Sequence, residues 1–201
     1  MIKYKKANPS DSSEMTMVHL DTFDGFFLSS LGYGFLNTYY NTCIKSSDAF
    51  AICATDSETE KIVGFSLGCY NSNGFNKKLI KKNFLKYLLR SILIIFSKPN
   101  ALIRLLNNLT KIDKNENDIG DYGELFSIAV DKDYQGLGIG KNLLKKFEYE
   151  LKQKSVKKVT LTTDKKNNDN VLKFYKKFGY NVYYDFVSYP KREMYKLKKI
   201  L

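Results

Sequence analysis

The sequence predicts an α/β (α+β) fold, a central mixed and twisted sheet of about six or seven strands flanked by helices. Three observations predict it. Hydrophobic patterns open the chain in the order β-α-α-β-β. A mid-chain segment, LFSIAV at 125–130, is apolar on both faces, as a central strand buried on both sides would be. It leads through a glycine-rich turn into an amphipathic helix, the beginning of a parallel crossover.

Ile2 and Tyr4 alternate with lysines, a short first strand. Asp11 and Glu14 have the spacing of a capping box, so a helix is expected over 12–23. A second helical region over 28–44 is loosened by Gly32 and Gly34. Residues 49–54 and 62–70 read as strands around a polar turn. Ile80, Phe84, Leu88, Ile92 and Phe96 recur at four-residue spacing beside a basic row of Lys82, Lys86 and Arg90. Lys98-Pro99 ends that helix, because proline disfavours α geometry in the residue before it. Leu102, Leu105, Leu106 and Leu109 predict a second, shorter helix, and 111–123 a polar loop. Beyond the central strand, Leu143, Leu144, Phe147 and Leu151 form the inner face of a lysine-rich helix. Residues 159–163 predict a strand, and 168–178 a helix that Gly179 stops. Residues 180–184 and 192–197 close the sheet. The whole chain, 1–201, reads as one domain with a helical insertion at 75–118.

Composition narrows the function classes. At 201 residues, 43% hydrophobic and 14% aromatic, the chain can bury a core. Three cysteines without a C-x-x-C pair argue against a disulfide scaffold or zinc site. One histidine excludes a multi-histidine metal centre. The N-terminus lacks the apolar core of a signal peptide, and no stretch reaches the roughly 18 apolar residues of a membrane span. A cytoplasmic location is therefore expected. The net charge of +12 favours anionic partners. Ten of the basic residues, against three acidic ones, fall between Phe75 and Asp118. That hairpin reads as a lid or homodimer surface, as a trap for a phosphorylated acceptor, or as a peripheral contact with an anionic membrane. No nucleic-acid motif accompanies it, so nucleic acid is not expected as a partner.

The chemistry concentrates in QGLGIGK, 135–141. Glycines at 136, 138 and 140 let backbone N–H groups converge at a helix N-terminus, where a phosphate is held by orphan donors and the helix dipole. A P-loop fails, because Gln135 stands where its first glycine belongs and Asn142 comes after Lys141. A dinucleotide G-x-G-x-x-G fails at Lys141. The remaining pattern is Q-x-x-G-x-G, with Gln135, Gly138 and Gly140.

Joined to NDNVLKFYKKFGY downstream, with Asn168, Tyr175 and the Gly179-Tyr180 pair in order, this sequence resembles the GNAT superfamily of acetyl-CoA-dependent N-acetyltransferases. Val171 departs from the small alanine more usual there. The resemblance implies acetyl-CoA as co-substrate. It implies a diphosphate grip by the amides of Gln135, Gly136, Leu137, Gly138, Ile139, Gly140 and Lys141. The pantetheine arm would lie along Ile128, Ala129 and Val130, whose N–H groups would polarise the thioester carbonyl. Asn168 would hold the arm and Tyr175 would protonate the leaving thiolate. Glu124 would serve as base toward the acceptor ammonium, directly or through water.

Duller roles stand beside these. Tyr175 could be a core residue, Glu124 a solvated strand start, and Asn168 a helix cap. His19, Asp21 and Asp24 cluster where the first helix ends, near the acceptor site of related enzymes. The expected acceptor is a small-molecule primary amine. The segment GFFLSSLGYGFLNTYY with the insertion resembles a bacterial subgroup associated with surface-polysaccharide sugars, which implies a nucleotide-linked amino sugar. The alternatives are a protein N-terminus or lysine, and a non-catalytic coenzyme A module with a binding hairpin.

Overall fold

The computed structural model describes residues 1–97, 118–188 and 191–201. Its strands are β1 (Ile2–Lys6), β2 (Ala49–Asp56), β3 (Ile62–Cys69), β4 (Gly123–Val130), β5 (Lys158–Asp164), β6 (Asn181–Ser188) and β7 (Arg192–Ile200). They form one seven-stranded sheet in the order β1-β2-β3-β4-β5-β7-β6. Only β4 and β5 pair in parallel among these strands; every other neighbour is antiparallel. The helices are α1 (Ser12–Thr22), α2 (Phe27–Ser30), α3 (Gly32–Ile44), α4 (Phe75–Lys82), α5 (Phe84–Ser97), α6 (Ile139–Gln153) and α7 (Asp169–Lys177).

Two cores lie on opposite faces of the sheet. Under α1 and α3, Met15, Leu36 and Tyr40 pack on Phe65 and Leu67. Under α6 and α7, Leu143, Phe147 and Tyr175 pack on Leu125, Val159 and Leu161. The second contact depends on Gly68, where an added Cβ would lie 2.5 Å from the Phe147 ring and closer still to the Glu124 carbonyl. Phe147 therefore sits directly against the β3 backbone.

Local details differ from expectation at two places. The capping box lies one turn early, on Asn8 and Asp11, while the Glu14 carboxylate accepts the Ile62 N–H at 2.8 Å and ties α1 to β3. The predicted basic helix is broken at Asn83 into α4 and α5. Of its apolar row, Phe84, Leu88 and Ile92 are exposed, by 58%, 41% and 40%, while Ile80 packs on the buried cluster. The buried row is Tyr87 and Ile94, with Leu31 and Phe35. Polar partners on α3 explain the rotation. Tyr87 Oη meets Thr42 Oγ1 at 2.6 Å, and Arg90 Nε donates to Thr38 Oγ1 at 3.2 Å. Gly34, lacking a Cβ, makes room for the Arg90 guanidinium. The second helix of the predicted hairpin, Leu102 to Leu109, lies outside the described residues. No helix among the described residues is long and apolar enough to cross a membrane.

Candidate active site

The site begins with a failure of pairing. β4 and β5 are matched at Gly123, Leu125 and the residue between them, against Val159 to Leu161, and then diverge. On the other side of β4 the register slips: Leu67 faces Ser127 while Gly68 faces Leu125, leaving Phe126 as a bulge. A bulge bends its strand and re-aims the residues beyond it. Phe126 and Ala129 accordingly pack on the α1–α3 side, and Leu125, Ile128 and Val130 on the α6–α7 side.

A cavity of about 560 Å³ fills the gap. Gly140, Asn168, Phe174 and Tyr175 border it from one face of the sheet. His19, Phe23, Phe26, Leu28, Phe126 and Met194 border it from the other. No described residue of α4 or α5 does so.

At the first mouth stands the 135–141 turn. Gly136 and Gly138 have φ of +80° and +75°, the left-handed region that glycine adopts without strain. Nothing lies within 4 Å of a Cβ built on either. Leu137 points outward, 67% exposed, and Ile139 is buried as the first residue of α6. The first bond closing the helix runs from Asn142 N–H to Gly138 C=O, at 3.1 Å. The amides of Ile139, Gly140 and Lys141 thus have no intrahelical acceptor. Gln135 turns back and donates Nε2 to Val130 C=O at 3.2 Å. The result is a shallow backbone concavity without obstructing side chains, which fits a diphosphate.

Along β4, Asp131 N–H bonds Val63 C=O in β3. By the alternation of an antiparallel ladder, Ala129 shares that direction, and the backbone of Ile128 and Val130 turns to the gap. Val130 C=O is met there by Thr22 Oγ1 at 3.3 Å as well as by Gln135. Asn168 borders the cavity with its Nδ2 engaged by Thr163 Oγ1 at 2.7 Å and Asp164 C=O at 2.8 Å, and its side chain does not cap α7. Tyr175 is 6% exposed, edge-on to Phe174 and Tyr180, and burial raises its phenol pKa far above the ordinary value.

Glu124 lies elsewhere. It borders a second cavity of about 390 Å³, with Ser72, Asp118, Tyr122 and Lys196, and does not border the first. Its carboxylate accepts from Lys196 Nζ at 2.6 Å and from the Ser72 hydroxyl. The Lys196 side chain is 3% exposed and that of Glu124 14%, so this is a buried ion pair. Glu124, expected as a base acting directly or through water, is thus held by Lys196 and Ser72 at the second cavity.

Of the His19, Asp21 and Asp24 cluster, only His19 reaches the first cavity; both aspartates are exposed. His19 is 3% exposed, with Nδ1 2.6 Å from Tyr40 Oη, and its Nε2 is buried without a partner. Burial lowers its pKa to about 4, so the ring is neutral near pH 7. Asp164 also borders the cavity, bound at both oxygens by Arg192, whose guanidinium lies 4.9 Å over the Phe26 ring. Sequence reading missed Lys196, Tyr40 and the Asp164–Arg192 pair. Each sits in an ordinary strand or helix pattern, and only the fold supplies its partner. The three cysteines are free and buried, and burial raises their thiol pKa values, Cys43 and Cys53 to about 12.

A slot through a sheet, with bare amides at one mouth and an apolar chamber at the other, lets a long phosphorylated thioester meet a second reactant. That is the requirement of acyl transfer from coenzyme A, and the chain is of that class. Residues 28–180 match the model of the Acetyltransferase (GNAT) family, and the chain belongs to that family, an acetyltransferase that uses acetyl-CoA. Solved structures share the fold. The ribosomal-protein-S18-alanine N-acetyltransferase of Escherichia coli has a TM-score of 0.62 and 15% identity, covering 100% of this chain and 94% of its own. The PaiA N-acetyltransferase of Thermoplasma acidophilum, in complex with coenzyme A, has a TM-score of 0.57 and 14% identity, covering 100% and 99%. Arabidopsis thaliana NAA60 with acetyl-CoA has a TM-score of 0.61 and 15% identity, covering 100% and 99%. No curated protein sequence matches this chain.

Proposed function

We propose that the protein moves acetyl from acetyl-CoA to the primary amine of a small molecule, by direct attack with both substrates bound. The observation that carries this reading is the cavity running from the 135–141 amides to the α1–α2 chamber. The amides of Gln135 to Lys141 hold the diphosphate, with Gly136 and Gly138 keeping the approach clear. Asn168 and the gap-facing backbone of Ile128 and Val130 align the arm like an added strand, and Ala129 anchors β4 to β3. The same gap-facing N–H groups stabilise charge developing on the thioester oxygen. Tyr175 donates to the departing sulfur. Burial disfavours the phenolate, but it disfavours the thiolate in the same apolar slot too, so the proton still moves to sulfur. Most of the rate gain comes from holding two reactants in register. Glu124, locked to Lys196, supports the strand that presents this backbone.

The three free thiols suit a reducing compartment, and this reading places the protein in the cytoplasm with its acetyl-CoA. Likeness to the S18-alanine enzyme offers a protein N-terminus as a second acceptor. Calorimetry with acetyl-CoA, then thiol release across a panel of amines, tests the proposal. We expect saturable cofactor binding and amine-dependent thiol release. Absence of both would remove the reading.

A further inference from the structure

His19 lines the first cavity, and its Nε2 is buried without a partner. Such an atom is costly unless something binds it. Its ring is fixed from behind by Tyr40, fully buried on α3. A neutral imidazole carries one proton. Placed on Nδ1, that proton donates to Tyr40 Oη, and Nε2 then offers a lone pair. The Phe23 ring lies against the imidazole, with centroids 4.8 Å apart. Tyr40 and Phe23 lie against the ring, neither of them charged, and burial is what lowers its titration.

The chamber is otherwise largely apolar, with Phe23, Phe26, Leu28, Phe126 and Met194, and Ser127 and Arg192 as its polar members. Asp164 is the one carboxylate among the described lining residues, and Arg192 occupies both its oxygens. The chamber offers an ammonium no carboxylate free of Arg192, and it offers an amine nitrogen the lone pairs of His19 Nε2 and of the Ser127 hydroxyl.

We propose that His19 Nε2 is the contact for the acceptor nitrogen, and that the acceptor is a weakly basic primary amine on an aromatic or apolar body, entering uncharged. This rests on the acetyl-transfer reading. Phe23 turns aside, and the amine donates one N–H to Nε2 while its lone pair faces the thioester carbon. The C–N bond forms and the C–S bond breaks. The nitrogen, acidic once bonded to that carbon, gives its proton to Nε2, and the thiolate takes one from Tyr175. Imidazolium and phenolate then return to their resting forms by proton exchange through solvent. Basicity matters through population. At pH 7 an amine with the lysine pKa of about 10.4 is uncharged roughly once in 2,500 molecules, whereas an α-amine of pKa about 8 is so about one time in ten.

The chain has one histidine, so its imidazole nitrogen resonances are unambiguous. In uniformly ¹⁵N-labelled protein holding coenzyme A, we expect one neutral tautomer with Nδ1 protonated down to about pH 5. Saturating L-phenylalaninamide should shift Nε2, and glucosamine should not. In turnover, phenylalaninamide should exceed the more basic phenethylamine, which shares its phenethyl body without the carboxamide, about 100-fold in kcat/KM at pH 7, with the gap closing toward pH 9. His19→Phe should lower kcat/KM about 100-fold with acetyl-CoA affinity unchanged; should that variant not fold, the wild-type resonances still decide. A Phe-initiated tripeptide that outruns phenylalaninamide identifies a chain terminus as the source, and the reverse a free metabolite; either supports the chemistry. Acetyl-CoA binding with an imidazole silent to every amine overturns this inference alone, as does a preference for glucosamine or Nα-acetyl-lysinamide. Failure to bind acetyl-CoA removes the acetyl-transfer reading, and this inference with it.

Discussion

Glu124 and Lys196 reach one another across β5, carboxylate to ammonium at 2.6 Å, from strands that are not neighbours. Breaking a buried pair leaves an uncompensated charge, which costs about 3–5 kcal/mol. Glu124→Gln should therefore lower unfolding free energy by about 3 kcal/mol, read by urea denaturation. Adding Lys196→Met should recover much of it, because the stranded ammonium is gone. A Glu124→Gln protein of wild-type stability whose turnover falls with pH would instead return Glu124 to the role of base.

Gly138→Ala separates backbone strain from ligand contact. The left-handed φ of +75° costs an alanine about 1 kcal/mol, yet no protein atom lies within 4 Å of its Cβ. A loss of acetyl-CoA affinity of about tenfold, about 1.4 kcal/mol, is expected because the methyl enters the diphosphate's space. An unaltered Kd by calorimetry would move the diphosphate elsewhere.

Tyr175→Phe keeps the edge-on packing with Phe174 and Tyr180 and removes only the hydroxyl. General acid catalysis contributes about 10² or more, so kcat should fall roughly 100-fold with acetyl-CoA affinity held. Steady-state kinetics alongside calorimetry checks this, and equal turnover would make Tyr175 a core residue only.

Stability should depend on pH through His19. Its folded pKa of about 4 lies below the unfolded value of 6.5, so the unfolded chain binds the extra proton between those pH values. The contribution is fully present above pH 6.5 and is lost as pH falls toward 4. Between pH 7 and pH 5 the loss amounts to about 2 kcal/mol. Thermal melts of wild type and His19→Gln should diverge at neutral pH and converge in acid; parallel profiles would contradict the burial that sets this shift.

The sequence by itself determined the order of strands and helices, the 135–141 cradle and the Asn168–Tyr175 spacing. These depend on short-range causes: periodicity of two or 3.6 residues, and glycine where φ must be positive. Tertiary structure decided the rest. α5 shows a regular apolar row at 84, 88 and 92, yet it is Tyr87, bonded to Thr42 of α3, that is buried. Glu124 found its ion-pair partner, Lys196, only when β7 came to lie beyond β5. His19 became a lone pair on a cavity wall only when Tyr40, some twenty residues on, closed over its other nitrogen. Period and propensity fix what a segment becomes, whereas partners brought from distant segments fix what a side chain faces.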